Sequence, residues 1–304
     1  MTILLLGVPR RWTRLALLGC TLALCGTPAS ARAHPGIGIV RDSKGNLYYT
    51  DLSRVWKQTP DGRRAIAVAN VHTHELFMSA GDTLYGEHLY TGSNETWGHY
   101  VWRRLPTGVV DTIIRPRAGF LDDYDDFHFV HDETGTMYWA DIAPDSNVIR
   151  KRIGAGKPVR VGVVPHGRPG WLTAANGSVY GVADGVLYQF DARGAARVLA
   201  RNLSESSAVP LYVRVVGFVI DLFRGSNLPD HDVGGIWLGH DASVYVAVPG
   251  GGVVKRVSPR GAVDVVARSD GDWTAVNGLT LPDGGILLLE TGPNSAVRTR
   301  RLAR

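Results

Sequence analysis

The sequence predicts an all-β protein, a six-bladed β-propeller built of four-stranded antiparallel blades. Three observations predict it: one two-strand phrase recurs six times, hairpin phrases lie between the copies, and long amphipathic helical patterns are scarce. The 37 glycines and 16 prolines among the 304 residues supply the turns that many short strands require. A chain of this length is sufficient for one large all-β domain.

Residues 1–33 predict a signal peptide rather than a part of this fold. Three arginines within residues 10–14 precede an apolar run over residues 15–26, and an Ala-Arg-Ala cleavage pattern follows. We therefore predict an exported chain, periplasmic or extracellular, whose propeller domain covers residues 34–304. An imperfect lipoprotein box makes Cys20 a candidate lipid anchor.

The charge balance changes once this segment is set aside. It holds four arginines and no acid, so the remainder has 29 basic residues against 28 acidic ones. A balance this even does not indicate nucleic-acid binding.

The apolar run over residues 209–223 is too short to span a bilayer, so we predict no transmembrane span in the mature chain. A small-molecule substrate is the expected partner.

The repeated phrase first occupies residues 36–51 and reads as an apolar strand, a polar turn and a second apolar strand that ends in aspartate. Five further copies begin at Glu75, Phe127, Gly170, Gly234 and Asn277. Shorter hairpin phrases, with Pro-Asp-Gly or related turns, begin at Val55, Val101, Val186 and Val253. One copy and one hairpin phrase make a four-stranded blade, and radial packing of such blades buries both faces of each sheet.

Two phrases resemble a known superfamily. Residues 38–51, with their Asp-Ser-x-Gly-Asn-Leu-Tyr core, resemble an NHL repeat, and residues 277–284 are similar to the corresponding phrase of the gluconolactonase and senescence-marker-protein propellers. The resemblance covers residues 35–302 and implies a six-bladed propeller. It specifies the activity weakly, because this fold hosts hydrolases, lyases and binding scaffolds.

The resemblance also implies a metal site, but this sequence departs from the pattern. The family holds its metal with a Glu in the first blade, Asn residues in the third and fourth, and an Asp in the fifth. The matching positions here are Ile37, Asp126, Pro169 and Gly234, of which Asp126 alone could bind a metal. We therefore expect this chain to share the fold of the superfamily but not its set of metal ligands.

Titratable residues concentrate at one predicted end of the propeller. If the first strand of each blade starts at the channel mouth and the second returns to it, residues at those ends share one face. The long loops over residues 89–100 and 203–232 fall on the same rim. The candidate site residues there are His72, His74, Glu75, Glu87, His88, Trp97, His99, Asp126, His128, His231, Asn277 and Glu290.

The second copy carries the strongest chemical signal. His72 and His74 alternate by two and so point to one side of a strand, while an antiparallel partner brings Glu87 and His88 close. Imidazoles with a carboxylate suit a divalent transition metal, so we predict these four residues as its ligands. The alternative is that each of these four side chains is solvated or has only a structural role.

Roles for the remaining candidates follow from this placement. We predict Glu75, Asp126 and His128 as catalytic acid/base residues, and we predict a substrate-binding rim of Trp97, His99, His231, Asn277 and Glu290.

Three functions from different classes fit these residues. The first is a metal-dependent hydrolase of lactones or esters. The second is a lyase or isomerase of a sugar-like or acidic substrate, with or without a metal. The third is an NHL-type binding scaffold without catalysis. The sequence favours an enzyme, of lactonase-like hydrolase type.

Overall fold

The computed structural model of the chain divides into Met1–His34 and Pro35–Arg304, and every described residue belongs to the second unit. The description covers residues 38–91, 97–118, 130–132, 134–142, 147–154, 156–164, 169–175, 177–183, 185–191, 195–204 and 233–302. Within these ranges the regular structure is β-strand, with two short 3₁₀ turns, Pro249–Gly251 and Pro293–Ser295. No helix in them is long and apolar enough to cross a membrane.

The first three sheets each contain four antiparallel strands in sequence order. Blade 1 comprises β1 (Ile39–Arg41), β2 (Leu47–Thr50), β3 (Arg54–Gln58) and β4 (Arg64–Ala69). Blade 2 comprises β5 (Leu76–Met78), β6 (Leu84–Thr91), β7 (Trp97–Arg104) and β8 (Val110–Ala118). Blade 3 comprises β9 (Val130–His131), β10 (Met137–Ile142), β11 (Asn147–Arg152) and β12 (Val159–Val164).

The other three sheets continue the pattern. Blade 4 comprises β13 (Pro169–Ala175), β14 (Ser178–Ala183), β15 (Val186–Phe190) and β16 (Ala196–Ala200). Blade 5 comprises β17 (Ile236–Leu238), β18 (Val244–Val248), β19 (Val253–Val257) and β20 (Val263–Arg268). Blade 6 comprises β21 (Thr274–Thr280), β22 (Ile286–Thr291) and β23 (Val297–Arg301). The predicted six-bladed all-β propeller is confirmed, and the sixth sheet has three strands within the described residues.

The polar turn of the repeated phrase explains why each blade begins with a tight hairpin. In blade 1, Asp42 Oδ1 accepts hydrogen bonds from the backbone N–H groups of Lys44 and Asn46, at 3.0 and 2.8 Å. Gly45 has φ of 83°, which a side chain would strain. Asp132 accepts two backbone N–H bonds in the same way in blade 3. The aspartate of the phrase therefore sets the turn that pairs the first two strands of a blade.

The hairpin between β6 and β7 has longer strands and a shorter loop than the sequence predicts. The ladder pairs His88 with Tyr100 and continues until Thr91 faces Trp97. The predicted loop over residues 89–100 is therefore largely strand. Tyrosine, threonine and tryptophan favour extended backbone, which accounts for the extra pairs.

The core lies between neighbouring sheets and joins the two ends of the described chain. Ile39 of blade 1 belongs to the same buried cluster as Val246 of blade 5 and Val276 and Leu289 of blade 6. Strand β1 lies against β21. The first and sixth blades thus pack against each other and close the ring.

Candidate functional site

A cavity of about 240 Å³ lies where the first strands of all six blades meet. Its wall includes Glu75 and Phe77 of blade 2, His131 of blade 3, Trp237 of blade 5 and Asn277 of blade 6. The remaining described lining is mostly aliphatic side chains and glycine. This is the central channel of the propeller, and it offers few polar groups to a ligand.

The segment that leads into β5 is fixed in place by buried hydrogen bonds. Thr50 Oγ1 donates to the carbonyl oxygen of Thr73 at 2.9 Å, and Thr73 Oγ1 donates to the carbonyl oxygen of Glu87. Trp102 Nε1 donates to the same Glu87 carbonyl at 3.0 Å. Thr50 and Thr73 are fully buried, so these bonds fix the positions of the residues on either side of Thr73.

Glu87 is a buried neighbour of Glu75, which lines the channel. Its side chain is 2% exposed, and its Oε1 accepts a hydrogen bond from the backbone N–H of His74 at 3.3 Å. His74 Nδ1 lies 3.8 Å from the same oxygen. Burial raises the pKa of Glu87 well above its ordinary value, and the nearby charge of Glu75 raises that pKa further. The protonated form of Glu87 is therefore favoured beside Glu75.

The two remaining histidines of the cluster are joined through the backbone. His88 Nδ1 accepts a hydrogen bond from the backbone N–H of His72 at 2.7 Å. An imidazole nitrogen that accepts carries no proton, so neutral His88 keeps its proton on Nε2. Burial lowers the pKa of His88, and the neighbouring His72 lowers it as well, which favours this neutral form. The His72 and His74 rings lie edge to face, with centroids 4.8 Å apart.

The four predicted metal ligands lie close together. No group of three or more His, Cys, Asp or Glu with metal-binding geometry occurs among the described side chains. The lone pair of His88 Nδ1 is directed at the backbone of His72, and its other nitrogen carries a proton. Glu87 is directed at the backbone of His74. In this arrangement His88 Nδ1 and Glu87 Oε1 each accept a backbone N–H.

The predicted rim residues have different environments. Asn277 lines the channel, where its Oδ1 accepts the Gly278 N–H at 2.8 Å. Glu290 is fully buried, and its carboxylate accepts hydrogen bonds from Arg298 and Arg300, both at 2.7 Å. Glu290 therefore lies inside blade 6 rather than on an open rim. Two guanidiniums of β23 neutralise its buried charge.

The other predicted site residues lie partly or wholly outside the described residues. Trp97 and His99 are on β7, opposite Thr91 and Leu89, and their side chains are not among those described. Asp126, His128 and His231 fall outside the described ranges altogether.

Sequence reasoning missed two channel residues, His131 and Trp237. His131 stacks on Phe77, with ring centroids 4.1 Å apart, and burial lowers its pKa to about 4. Trp237 is 6% exposed and stacks on Tyr245. Both lie on the first strand of a blade, so the repeat itself was the signal that could have placed them in the channel wall.

Comparisons with known proteins find similarity in fold. No protein-family model matches the chain, and no curated protein matches it in sequence. A gluconolactonase from Xanthomonas campestris has a TM-score of 0.57 at 15% identity, over 89% of this chain and 87% of that chain. A calcium-binding protein, regucalcin, from Agrobacterium tumefaciens has a TM-score of 0.54 at 14% identity, over 84% and 81%.

A lyase is also similar in fold. A catalytically inactive histidine-to-alanine variant of virginiamycin B lyase from Staphylococcus aureus, with quinupristin, has a TM-score of 0.52 at 11% identity, over 89% of this chain and 85% of that chain. Identities this low show a shared fold alone. The chain is a six-bladed propeller of the architecture that these gluconolactonase, regucalcin and lyase structures share.

Proposed function

We propose that the chain is an enzyme that hydrolyses a small lactone or ester at the mouth of its channel. The observation that carries the proposal is the pair of glutamates on blade 2. Glu75 lines the cavity, and Glu87 lies buried behind it with a raised pKa. Two carboxyl groups in different environments can hold different protonation states, so one can act as a base while the other stays neutral. The fold likeness to a gluconolactonase supports the same reaction class.

Glu75 is the general base in this proposal. Its carboxylate takes one proton from a water molecule as the water oxygen attacks the ester carbonyl carbon. The same proton then passes to the leaving oxygen as the C–O bond breaks, so Glu75 ends in its starting state. Glu87 stays protonated and accepts the backbone N–H of His74. This hydrogen bond fixes the backbone next to Glu75 and so keeps Glu75 in position.

We propose that the reaction needs no metal bound by the four residues predicted as ligands. Two of their donors, His88 Nδ1 and Glu87 Oε1, accept hydrogen bonds from backbone N–H groups, which supports this reading. Elemental analysis of the purified chain, beside a His74→Ala, Glu87→Ala double variant, tests this reading. We expect equal metal content in both. One equivalent of metal in the parent that the variant loses would assign these residues as ligands after all.

The central test is Glu75→Gln, assayed on a panel of uncharged lactones and aryl esters. Removing the base should lower kcat by about 100-fold or more, because general-base catalysis contributes roughly 10²–10⁴. Asp61→Asn is the matched control, since Asp61 lies in an exposed turn of blade 1 and pairs with Arg63. Full activity of Glu75→Gln, with an unchanged melting temperature, would refute the assignment.

A lyase is the second candidate, favoured by the likeness to virginiamycin B lyase, whose histidine variant is described as inactive. The same carboxylate could remove a proton from carbon beside a carbonyl, and the bond to the leaving oxygen would break without water. Reaction in ¹⁸O-labelled water separates the two, because hydrolysis places the label in the acid product and elimination creates a double bond without it. Ligand binding without turnover would identify a binding scaffold.

A further inference from the structure

A second cavity follows the channel cavity along the first strands of blades 1, 2 and 3. On β1, Ile39 and Val40 line the channel cavity and Arg41 lines the second one. On blade 2 the lining passes in the same way from Glu75 to Ser79. The second cavity has a volume of about 860 Å³, compared with about 240 Å³ for the channel cavity. It therefore lies on the side of the channel cavity that is nearer to the hairpin turns of the repeated phrase.

Phe77 and His131 are the two described residues that line both cavities. Their rings stack with centroids 4.1 Å apart and an angle of 21° between the ring planes, which joins blade 2 to blade 3. We call them the Phe77–His131 ring pair. Since these residues contribute to both walls, they stand where one cavity ends and the other begins.

The second cavity is apolar next to this ring pair. Met78 follows Phe77 on β5, Tyr85 pairs with Phe77 across the sheet, and both residues line the cavity. The centroids of the Phe77 and Tyr85 rings are 5.8 Å apart. A ligand group that passed the ring pair would therefore meet aromatic and thioether surface first.

The carboxylates of the second cavity are engaged by the hairpin turns. Asp42 and Asp132 each accept two backbone N–H bonds from their own turns. Asp82 accepts the backbone N–H of Ser43 at 2.8 Å and its hydroxyl at 2.6 Å. These carboxylates already have donors, so the apolar wall beside the ring pair favours a hydrocarbon group over a charged one.

We propose that the Phe77–His131 ring pair is the floor of the substrate cavity and determines how long a hydrocarbon chain a neutral ester or lactone can carry. The inference deepens the proposed function and rests on it for the identity of the ligand as substrate. Phe77 follows Glu75 by two residues, a rise of roughly 7 Å in extended backbone. A short acyl chain fits within that distance from Glu75, whereas a longer one meets the rings.

The test measures the binding of two neutral amides, butanamide and octanamide, to the whole chain by NMR titration. Both keep the carbonyl of an ester and resist hydrolysis. We expect octanamide to bind the parent no more tightly than butanamide does. In Phe77→Ala the two cavities would join, so octanamide binding should tighten about tenfold or more as further methylene groups become buried. Butanamide binding should stay nearly the same.

His131→Ala removes the other ring and should produce the same gain for octanamide. It also keeps the inference testable if Phe77→Ala fails to fold. His131→Phe is the matched control, because it keeps a ring against Phe77 and should retain the parent's preference.

Four outcomes would overturn the inference. The parent could bind octanamide about tenfold more tightly than butanamide, the alanine variants could keep the parent's ratio of Kd values, or His131→Phe could show the same gain as His131→Ala. Binding of neither amide by any of these chains is the fourth.

Turnover of p-nitrophenyl butanoate and octanoate separates this inference from the proposed function. We expect the parent to prefer the butanoate ester and Phe77→Ala to accept the octanoate ester. Amide binding that responds to the alanine variants, without hydrolysis of either ester, would refute the hydrolase and support the floor. Hydrolysis that depends on Glu75, with amide binding unaffected by the alanine variants, would refute the floor alone.

Discussion

The carboxyl group of Glu87 shows how one buried residue can make folding stability depend on pH. It is 2% exposed, accepts the backbone N–H of His74, and has a raised pKa because of burial and the charge of Glu75. The folded state therefore binds this proton more tightly than the unfolded state does. Stability from this group is present below the unfolded pKa and is lost as pH rises through the folded pKa.

Replacing Glu87 by Gln should remove this pH dependence and keep the fold. The amide oxygen can still accept the backbone N–H of His74, and it has no ionised form to desolvate. We expect the variant to gain stability relative to the parent between pH 5 and pH 8, measured by urea unfolding at both values. Asp61→Asn, in an exposed turn, should leave the parent's pH profile unchanged. Parallel profiles for parent and Glu87→Gln would contradict the expectation.

Sequence reasoning could group these residues but could not orient them. Strand alternation and antiparallel pairing brought His72, His74, Glu87 and His88 to one place, and the described structure has them there. Which nitrogen of His88 is available depends on the backbone N–H of His72, which no pattern of side chains specifies. The predicted metal ligation depended on that orientation.

At the level of elements, the β22–β23 hairpin of blade 6 contains a buried carboxylate between two arginines. Glu290 is fully buried, whereas the side chains of Arg298 and Arg300 are 29% and 28% exposed. Arg298 also lies over the Trp273 ring, 4.4 Å from its centroid. This arrangement ties the outermost described strand of the blade to the one inside it.

Glu290→Gln should destabilise the chain by about 2–4 kcal/mol, because it leaves two guanidiniums without their shared buried anion. The matched control is Asp283→Asn in the same blade, where Asp283 pairs with Arg301 and both side chains are about half exposed. An exposed pair contributes about 0–1 kcal/mol. Thermal unfolding of both variants checks the difference, and equal effects would show that burial of Glu290 contributes nothing.

The turn residues made the positions of the strands predictable from the sequence. They did not predict how far the pairing of two strands extends. Asp42 and Asp132 mark the first hairpins of blades 1 and 3. The extension of β6 and β7 toward Thr91 and Trp97 was missed because polar and aromatic residues there resembled a loop. The tyrosine, threonine and tryptophan among them favour extended backbone, so the ladder continues through them.

For the whole molecule, the stack of Phe77 on His131 joins blade 2 to blade 3 at the channel wall. Burial lowers the pKa of His131 to about 4, Asp132 raises it in part, and Arg152 lowers it. The unfolded state binds this proton below about pH 6.5, so stability falls as pH decreases from there toward 4. The effect is on the order of 3 kcal/mol at most.

His131→Phe should reduce the loss of stability between pH 6.5 and pH 4, since phenylalanine keeps a ring against Phe77 and cannot be protonated. Chemical unfolding across this range is the measurement. His240→Gln, at an exposed turn, is the control and should retain the parent's slope. A slope that is unchanged in His131→Phe would mean that other groups cause the acid sensitivity.

The ring as a whole was predicted from internal repetition, because six similar phrases must bury the same faces. Its chemistry was harder to predict, since channel residues such as Trp237 come from different blades and acquire their neighbours only when the ring closes. Export and the lipid anchor at Cys20 stay predictions, because residues 1–37 lie outside the described part of the chain.

The packing of β1 against β21 also has a consequence for the order of events that we expect during folding. Each blade forms from neighbouring strands, whose hairpins close loops of a few residues, whereas the β1–β21 contact joins positions more than two hundred residues apart. Closing a loop that long costs roughly 3 kcal/mol more chain entropy than closing a ten-residue hairpin. We therefore expect ring closure to come last, with Ile39 and Leu289 reaching their shared core after the individual sheets have formed. Ligand binding in the channel would then report on completed folding, because its wall exists only in the closed ring.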